Sequence, residues 1–452
     1  MHYKTITNSL KTSVIHAGIC TGCGACVGLD NSKRTFMEST SMGPLPNFDL
    51  LESDLPHEVI NVCPALNLDY LQLYKDFWNQ ENHNPITGKV VKARTGYATD
   101  ENIKKSSSSG GILTTVLSHL LSKEEINGII TVQQGLPNPL SARVTIIDNI
   151  DELKKSTQSV YIPVSMLDIL RDLDPQKKYA ITCLPDQAAA LRKLQVLGNK
   201  KANAIKHVLG PYTGTAIYPN ALKSFLKSNG VSPNDHVKSL KWRAGEWPGY
   251  LEIVTASGRV LKSPKVYYNY LIPFFITQNS LQNMDFVNEF CDLSVGDAWS
   301  PVHEKLKGGQ SVFVTRTEKM EKIIQYLIDD KKLTVEEIDP MKASEMHGHM
   351  IDFKKRGAYI RNQFRRLIGF KAPDFGMRPE KISLARWMIE IVIISIFFLG
   401  KTKFARWFIT IIPQKILGII FNNLRLYWKS ISKPTKRKGL TNLKMIPTTK
   451  GL

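Results

Sequence analysis

Short apolar runs alternate with amphipathic stretches through the middle of the chain, and this alternation predicts strand–helix units. Ile129–Val132, Ala142–Ile147, Tyr179–Thr182 and Ile205–Leu209 read as strands, and a further short strand is expected around Lys89–Tyr97. Ile112–Leu121 reads as an apolar helix, Ala188–Leu197 as a helix, and Lys319–Asp329 as an amphipathic one. Tyr179–Thr182 passes through Leu184-Pro185-Asp186-Gln187 directly into its helix. Strand, turn and helix recur in this way, which argues for an α/β body. Leu251–Thr255 and Val260–Lys262 about Ser257-Gly258 read as a hairpin, so the body is mixed, α/β with α+β character. The first 85 residues are turn-rich and end in a helical pattern, Leu66–Trp78. Asn82-His83-Asn84-Pro85 with Thr87-Gly88 reads as a linker. Four segments follow: 1–85, 86–175 and 176–350 (the two parts of the body), and 351–452.

The last segment differs in character. Trp387–Gly400 is strongly apolar but interrupted by Glu390, and it falls short of the ~20 residues that span a bilayer. Phe404–Ile412 and Ile416–Leu424 are further apolar pieces among Lys401, Lys403, Arg406, Lys415, Arg425 and Lys429, with Trp387, Trp407, Tyr427 and Trp428 interspersed. Residues 353–452 hold 22 Lys/Arg against 3 Asp/Glu, so they carry nearly all of the net charge of +20, and the body is close to neutral. Basic, aromatic and apolar residues mixed in this way suit helices lying in the plane of an anionic membrane surface; the alternatives are a hairpin inserting into a membrane and a docking surface for a partner subunit. Nucleic acid is disfavoured, because phosphate contact does not require long aliphatic runs. Composition predicts disorder from Lys433 onward.

Six cysteines in 452 residues do not make a disulfide scaffold. Three of them form one run, Cys20-Thr21-Gly22-Cys23-Gly24-Ala25-Cys26. At this spacing the sulfurs can face one centre, and the small residues let backbone N–H groups point at sulfur. That is the local geometry of a [4Fe–4S] cluster, and Cys63-Pro64 offers the fourth thiolate. Four cysteines also suit zinc, but zinc ribbons use paired C-x₂-C arms rather than three cysteines in one run. The expectation is a small ferredoxin-like module with Cys20, Cys23, Cys26 and Cys63 as ligands. Free thiolates need a reducing compartment, and the start of the chain has no apolar signal region. The protein is therefore expected in the cytoplasm, at the inner face of a membrane.

Lys104-Lys105-Ser106-Ser107-Ser108-Ser109-Gly110-Gly111 leads straight into the helix that begins at Ile112. Such a junction is either an anion site at a helix start or a serine-rich N-cap loop. Taken with the cysteine run, Pro185-Asp186-Gln187-Ala188-Ala189-Ala190-Leu191-Arg192, Trp247-Pro248-Gly249 and Asp292-Leu293-Ser294-Val295-Gly296-Asp297-Ala298-Trp299, it resembles the beta subunit of coenzyme F420 hydrogenase/dehydrogenase, over roughly residues 10–345. That family includes 7-hydroxymethyl chlorophyll a reductase-like proteins. The resemblance implies an iron–sulfur flavoprotein oxidoreductase that moves electrons between the cluster, FAD and an organic partner, either the deazaflavin coenzyme F420 or a lipophilic substrate. It implies that Ser108, Ser109, Gly110, Gly111 and Thr114 lie against FAD, that Gln158, Ser159 and Tyr161 form a second flavin-facing loop, and that Asp297 belongs to a site-forming turn. For Asp297 an ordinary turn or N-cap role stays open. Ferredoxin or reduced deazaflavin would be the redox donor. The alternatives are an electron-relay subunit of a larger complex and a binding protein that has lost its cofactors.

Relatives carry further cysteines for a second cluster, at positions that correspond here to Asp186, Thr213, Ser280 and Asn283. None of the four can supply a thiolate, so one cluster is expected. Cys183 and Cys291 lie off those positions and read as buried small hydrophobes. Arg243 with Trp247 reads either as a cofactor contact or as packing. His119 reads as packed, and His347 and His349 have no carboxylate neighbour in sequence to suggest a metal site.

Overall fold

The strands are β1 (Phe36–Thr40), β2 (Gly43–Asn47), β3 (Lys92–Ala98), β4 (Gly128–Gln134), β5 (Ala142–Ile147), β6 (Tyr179–Thr182), β7 (Ile205–Pro211), β8 (Val237–Ala244), β9 (Tyr250–Thr255), β10 (Val260–Pro264), β11 (Leu293–Asp297), β12 (Ser311–Thr315), β13 (Leu333–Glu337), β14 (Met377–Pro379) and β15 (Met445–Pro447). The structure is a computed structural model that describes residues 5–448 except 67, 82, 265–266 and 300–308, so Asn82 of the expected linker lies outside the described residues.

Eight strands form one mixed sheet in the order β13-β3-β12-β11-β7-β6-β4-β5. β11, β7, β6 and β4 run parallel. β12 and β5 close the parallel block antiparallel on either side. Parallel strands need cover on both faces, which explains their near-continuous apolar sequences. Ile129, Ile130, Ala180, Ile181, Val208 and Leu209 are all fully buried.

Four helices supply much of that cover: α1 (Tyr70–Trp78), α2 (Ile112–Ser122), α3 (Pro185–Val196) and α4 (Glu318–Asp329). Val116 and Leu120 of α2 and Ile324 and Leu327 of α4 pack on one face, against Ile129, Leu293 and Phe313. Leu191 and Leu194 of α3 and Leu73 of α1 cover the other face, with Ile130, Ile181 and Val208. Leu10, Phe48 and Val59 of the cysteine-bearing segment belong to this second cluster, so that segment shares its core with the sheet. α1 begins at Tyr70 rather than Leu66 because Asp69 caps it, accepting from the Gln72 N–H at 3.0 Å. α3 starts with Pro185 in its first turn, and the Gln187 side chain accepts from the Leu184 N–H at 2.9 Å. A buried pair ties β3 to α4: Arg94 Nη1 donates to Glu321 Oε2 at 2.9 Å and Nη2 to Oε1 at 2.5 Å. The smaller sheet β10-β9-β8 packs Trp242, Leu251 and Ile253 on Leu222 and Phe225, and Trp242 Nε1 donates to Gln134 Oε1 of β4 at 3.0 Å.

The C-terminal segment forms α5 (Leu384–Gly400), α6 (Lys403–Ile411) and α7 (Gln414–Arg437). α5 is inside out. Arg386 and Glu390 are fully buried, whereas Leu384, Met388, Ile391, Val392 and Leu399 face solvent. Glu390 is held by Arg386 and Arg361, and Asp352 by Arg386 and Arg356. Gly400 brings the end of α5 against the body, where an added Cβ would lie 2.3 Å from the Pro273 carbonyl oxygen. No described helix is long and apolar enough to cross a membrane. The expected disorder from Lys433 is corrected up to residue 448. α7 continues to Arg437, Leu440 and Leu443 are buried with Ile86 and Ile351, and β15 pairs antiparallel with β14. The Lys- and Pro-rich composition hid these few apolar anchors.

Candidate cofactor sites

Cys20, Cys23, Cys26 and Cys63 line one cavity, whose other walls include Leu10, Val14, Met37, Phe48 and Val59. Two glycines shape the loop. Gly22 and Gly24 have φ of +72° and +85°, and a Cβ on Gly24 would lie 2.1 Å from Ser165 Oγ. Backbone N–H groups of Gly22, Ala25 and Val27 hydrogen-bond the sulfurs of Cys20, Cys23 and Cys26, and those of Ala65 and Leu66 bond Cys63. Burial nonetheless pushes the Cys20 thiol up to about 12 and Cys63 up to about 11, and holds Cys23 and Cys26 well above the ordinary thiol range. Four thiols in an apolar pocket ionise only with a compensating positive centre. Among the described residues, no three His, Cys, Asp or Glu side chains are grouped to hold a single metal ion. Four cysteine sulfurs on one cavity are the donor set that an iron–sulfur cluster takes.

The two loops assigned to flavin by resemblance meet in space. Ser108 Oγ accepts the Ser159 N–H at 2.8 Å. Ser109 Oγ donates to the Gln310 carbonyl, and the Gly110 N–H donates to Ser311 Oγ at 2.9 Å. Gly111, with φ of +79°, starts α2, and Thr114 is buried in its first turn. Gln158 is half-buried beside Ser159. At the other end of this loop the Tyr161 hydroxyl lies 3.3 Å from Arg243 Nη1, which also donates to Asp297 Oδ2 at 3.1 Å. Asp297 ends β11, and its carboxylate pairs with Arg243. Among the described residues, two nitrogens of the buried Arg243 guanidinium, Nε and Nη2, have no hydrogen-bond partner. A planar cation with spare donors at the carboxyl end of a parallel strand suits an anionic group such as a dinucleotide phosphate. Trp247 and Trp299 sit close by in sequence, with ring centroids 4.8 Å apart. His347 completes the surroundings, its Nε2 2.9 Å from the Asp297 carbonyl oxygen. Nothing local in the sequence marks His347 for this place, because it lies 50 residues from Asp297. His119 packs near the Tyr326 ring, with centroids 4.9 Å apart.

Asp186, Thr213, Ser280 and Asn283 converge on one further cavity of about 40 Å³, which also reaches Cys20. Its other polar walls include Thr21, Asn279, Asp285 and Lys354. Lys354 Nζ donates to the Ser280 carbonyl at 2.8 Å, and burial pushes its ammonium down to about 7. Burial, with nearby Glu289, pushes the Asp285 carboxyl up to about 6. Lys354, Asp186 and Asp285 line this space together with Cys20, which it shares with the four-cysteine cavity. Cys183 and Cys291 are buried and adjacent to each other.

The chain matches the models for both halves of one family, coenzyme F420 hydrogenase/dehydrogenase beta subunit: the N-terminal part over residues 93–171 and the C-terminal part over residues 176–341. It is 27% identical over 143 residues to the beta subunit of an F420-dependent formate dehydrogenase from Methanocaldococcus jannaschii, covering 31% of this chain and 37% of that one. It is 22% identical over 242 residues to the coenzyme F420 hydrogenase beta subunit of Methanosarcina barkeri, covering 51% of this chain and 80% of that one. A chain in the structure of the F420-reducing [NiFe] hydrogenase complex from Methanosarcina barkeri superimposes with a TM-score of 0.50 at 20% identity, over 64% of this chain and 97% of that one. At that identity the likeness is one of fold.

Proposed function

The chain belongs to the coenzyme F420 hydrogenase/dehydrogenase beta-subunit family, and from that premise we propose that it is an iron–sulfur flavoprotein oxidoreductase with one [4Fe–4S] cluster and one FAD. The observation that carries this reading is the pairing of two built sites: four cysteines on one apolar cavity, and Arg243 with spare donors beside the Ser108–Ser159 junction. When bound, the cluster supplies single-electron transfer and FAD supplies both one-electron and hydride chemistry.

The residues themselves bind, orient and exclude water. The N–H groups around each sulfur stabilise the charge of the thiolates. Ser108 joins the two loops, and Arg243 offers Nε and Nη2 to an anion while Asp297 and Tyr161 hold its plane. His347 steadies the Asp297 backbone at the same turn. The organic partner is a deazaflavin of the F420 type, in keeping with the names of the relatives.

A second reading is favoured by the hydrogenase complex among the relatives: an electron-relay subunit whose substrate site belongs to a partner. Co-purification at fixed stoichiometry, with turnover only in the complex, selects it. Iron, sulfide and flavin content after anaerobic purification tests the main reading. About four irons and one FAD per chain support it. About eight irons contradict the single cluster, and zinc or missing flavin overturns the redox mechanism. Reduced coenzyme F420 mixed with the oxidised protein should then bleach the flavin.

A further inference from the structure

Eighteen of the thirty large apolar side chains most exposed in the described structure fall between Leu384 and Ile431, about a tenth of the chain. They are not scattered. On each of three consecutive helices they sit at helical spacing on the outward side. α6 turns out Phe404, Trp407 and Phe408 while Ile409 is buried, and α7 turns out Ile420, Leu424 and Tyr427 while Leu417 is buried. α5 buries Arg386 and Glu390 beside Ile393 and turns out Leu384, Ile391, Val392, Ile396 and Leu399, whereas a helix on a water-facing surface turns out its charges. Contiguous apolar exposure on this scale marks a surface with a partner.

Charge identifies the partner. No acidic residue follows Glu390, and Glu390 is itself buried between two arginines. The layer formed by α6, α7 and the outer face of α5 therefore presents only positive charge, with Lys403 and Lys415 exposed among the aromatic residues. None of these three described helices is long and apolar enough to cross a bilayer. We propose that these three helices dock flat on an anionic lipid surface, with Phe404, Trp407 and Tyr427 entering the headgroup region and the lysines meeting the lipid phosphates. This inference does not rest on the cofactor reading, and its test reads lipid binding alone.

The full-length protein is sedimented with vesicles of phosphatidylcholine alone or with about a third phosphatidylglycerol. Binding to the anionic vesicles is expected, weakening steeply as salt rises from low to physiological and above. Two sets of surface substitutions separate the terms. Lys403→Glu with Lys415→Glu should weaken binding more than about tenfold, and Phe404→Ser with Trp407→Ser should weaken it by a similar factor. Both sets change exposed side chains, and an unchanged circular dichroism spectrum verifies the fold. Salt dependence of the wild-type protein is a second readout that needs no variant. Failure to bind anionic vesicles overturns the proposal, as does binding indifferent to both variant sets. A stable self-associated form or a stoichiometric partner protein that covers Trp407 and excludes vesicles also overturns it.

Discussion

Glu390 Oε2 lies 2.7 Å from Arg386 Nη1, one helical turn earlier on α5, and both side chains are completely buried. Arg361 holds the other carboxylate oxygen. This carboxylate is the anchor of the helix layer. Glu390→Gln leaves buried Arg361 without its carboxylate and Arg386 with Asp352 alone, and a loss of about 3–5 kcal/mol is expected. Urea unfolding followed by circular dichroism measures it, and a change below about 1 kcal/mol would mean that the network does not hold the layer.

The two cofactor sites should be separable by substitution. Cys26→Ser should strip iron while flavin stays bound. Arg243→Met should do the reverse, weakening flavin retention about 10–100-fold through lost charge-assisted hydrogen bonds. Iron assay and flavin absorbance on the same samples measure both. Loss of both groups in either variant would show one cooperative site instead of two.

Backbone geometry gives a sharper test of the cysteine loop. Gly24→Ala demands a positive φ of an alanine and drives its Cβ into Ser165. Iron content should fall well below one cluster per chain although all four sulfurs remain. Full iron loading would show that the loop can wrap the cluster in another conformation.

Stability should fall on mild acidification, in part through His207. This ring is buried on β7, its Nε2 has no hydrogen-bond partner, and burial pushes its pKa down to about 4. The unfolded chain takes up a proton near 6.5 that the folded chain refuses until about 4. Stability from this group is therefore present above pH 6.5 and is lost between 6.5 and 4. The melting temperature should drop across that window, and His207→Leu should flatten the slope. An unchanged slope in the variant removes His207 from the account.

Chemistry written in residue type was the most readable part of the chain. The cysteine spacing led to one cavity, and four positions picked for lacking a thiolate, Asp186, Thr213, Ser280 and Asn283, turned out to share another. The parallel strands were readable because burial on both faces leaves uninterrupted apolar runs. Relationships over long sequence distances were not. Glu390 looked like an interruption in an apolar helix, because its meaning depends on Arg361 of a separate helix. His347 gave no local signal for its contact with Asp297. The lysine-rich end looked unfoldable, although Leu440, Leu443 and a three-residue strand suffice to seat it.

The pairing of β14 with β15 changes the mechanics of that whole region. Residues 380–444 leave the body at one strand and return to its neighbour, so they form a bracket riveted at both ends, with the Glu390 network as a rivet along its length. Arg356 adds another, donating through Nη2 to the Lys436 carbonyl at 2.7 Å. A free arm would let the body tumble beneath its attachment point. A bracket transmits orientation, so whatever grips these helices also sets which way the two candidate cofactor sites point.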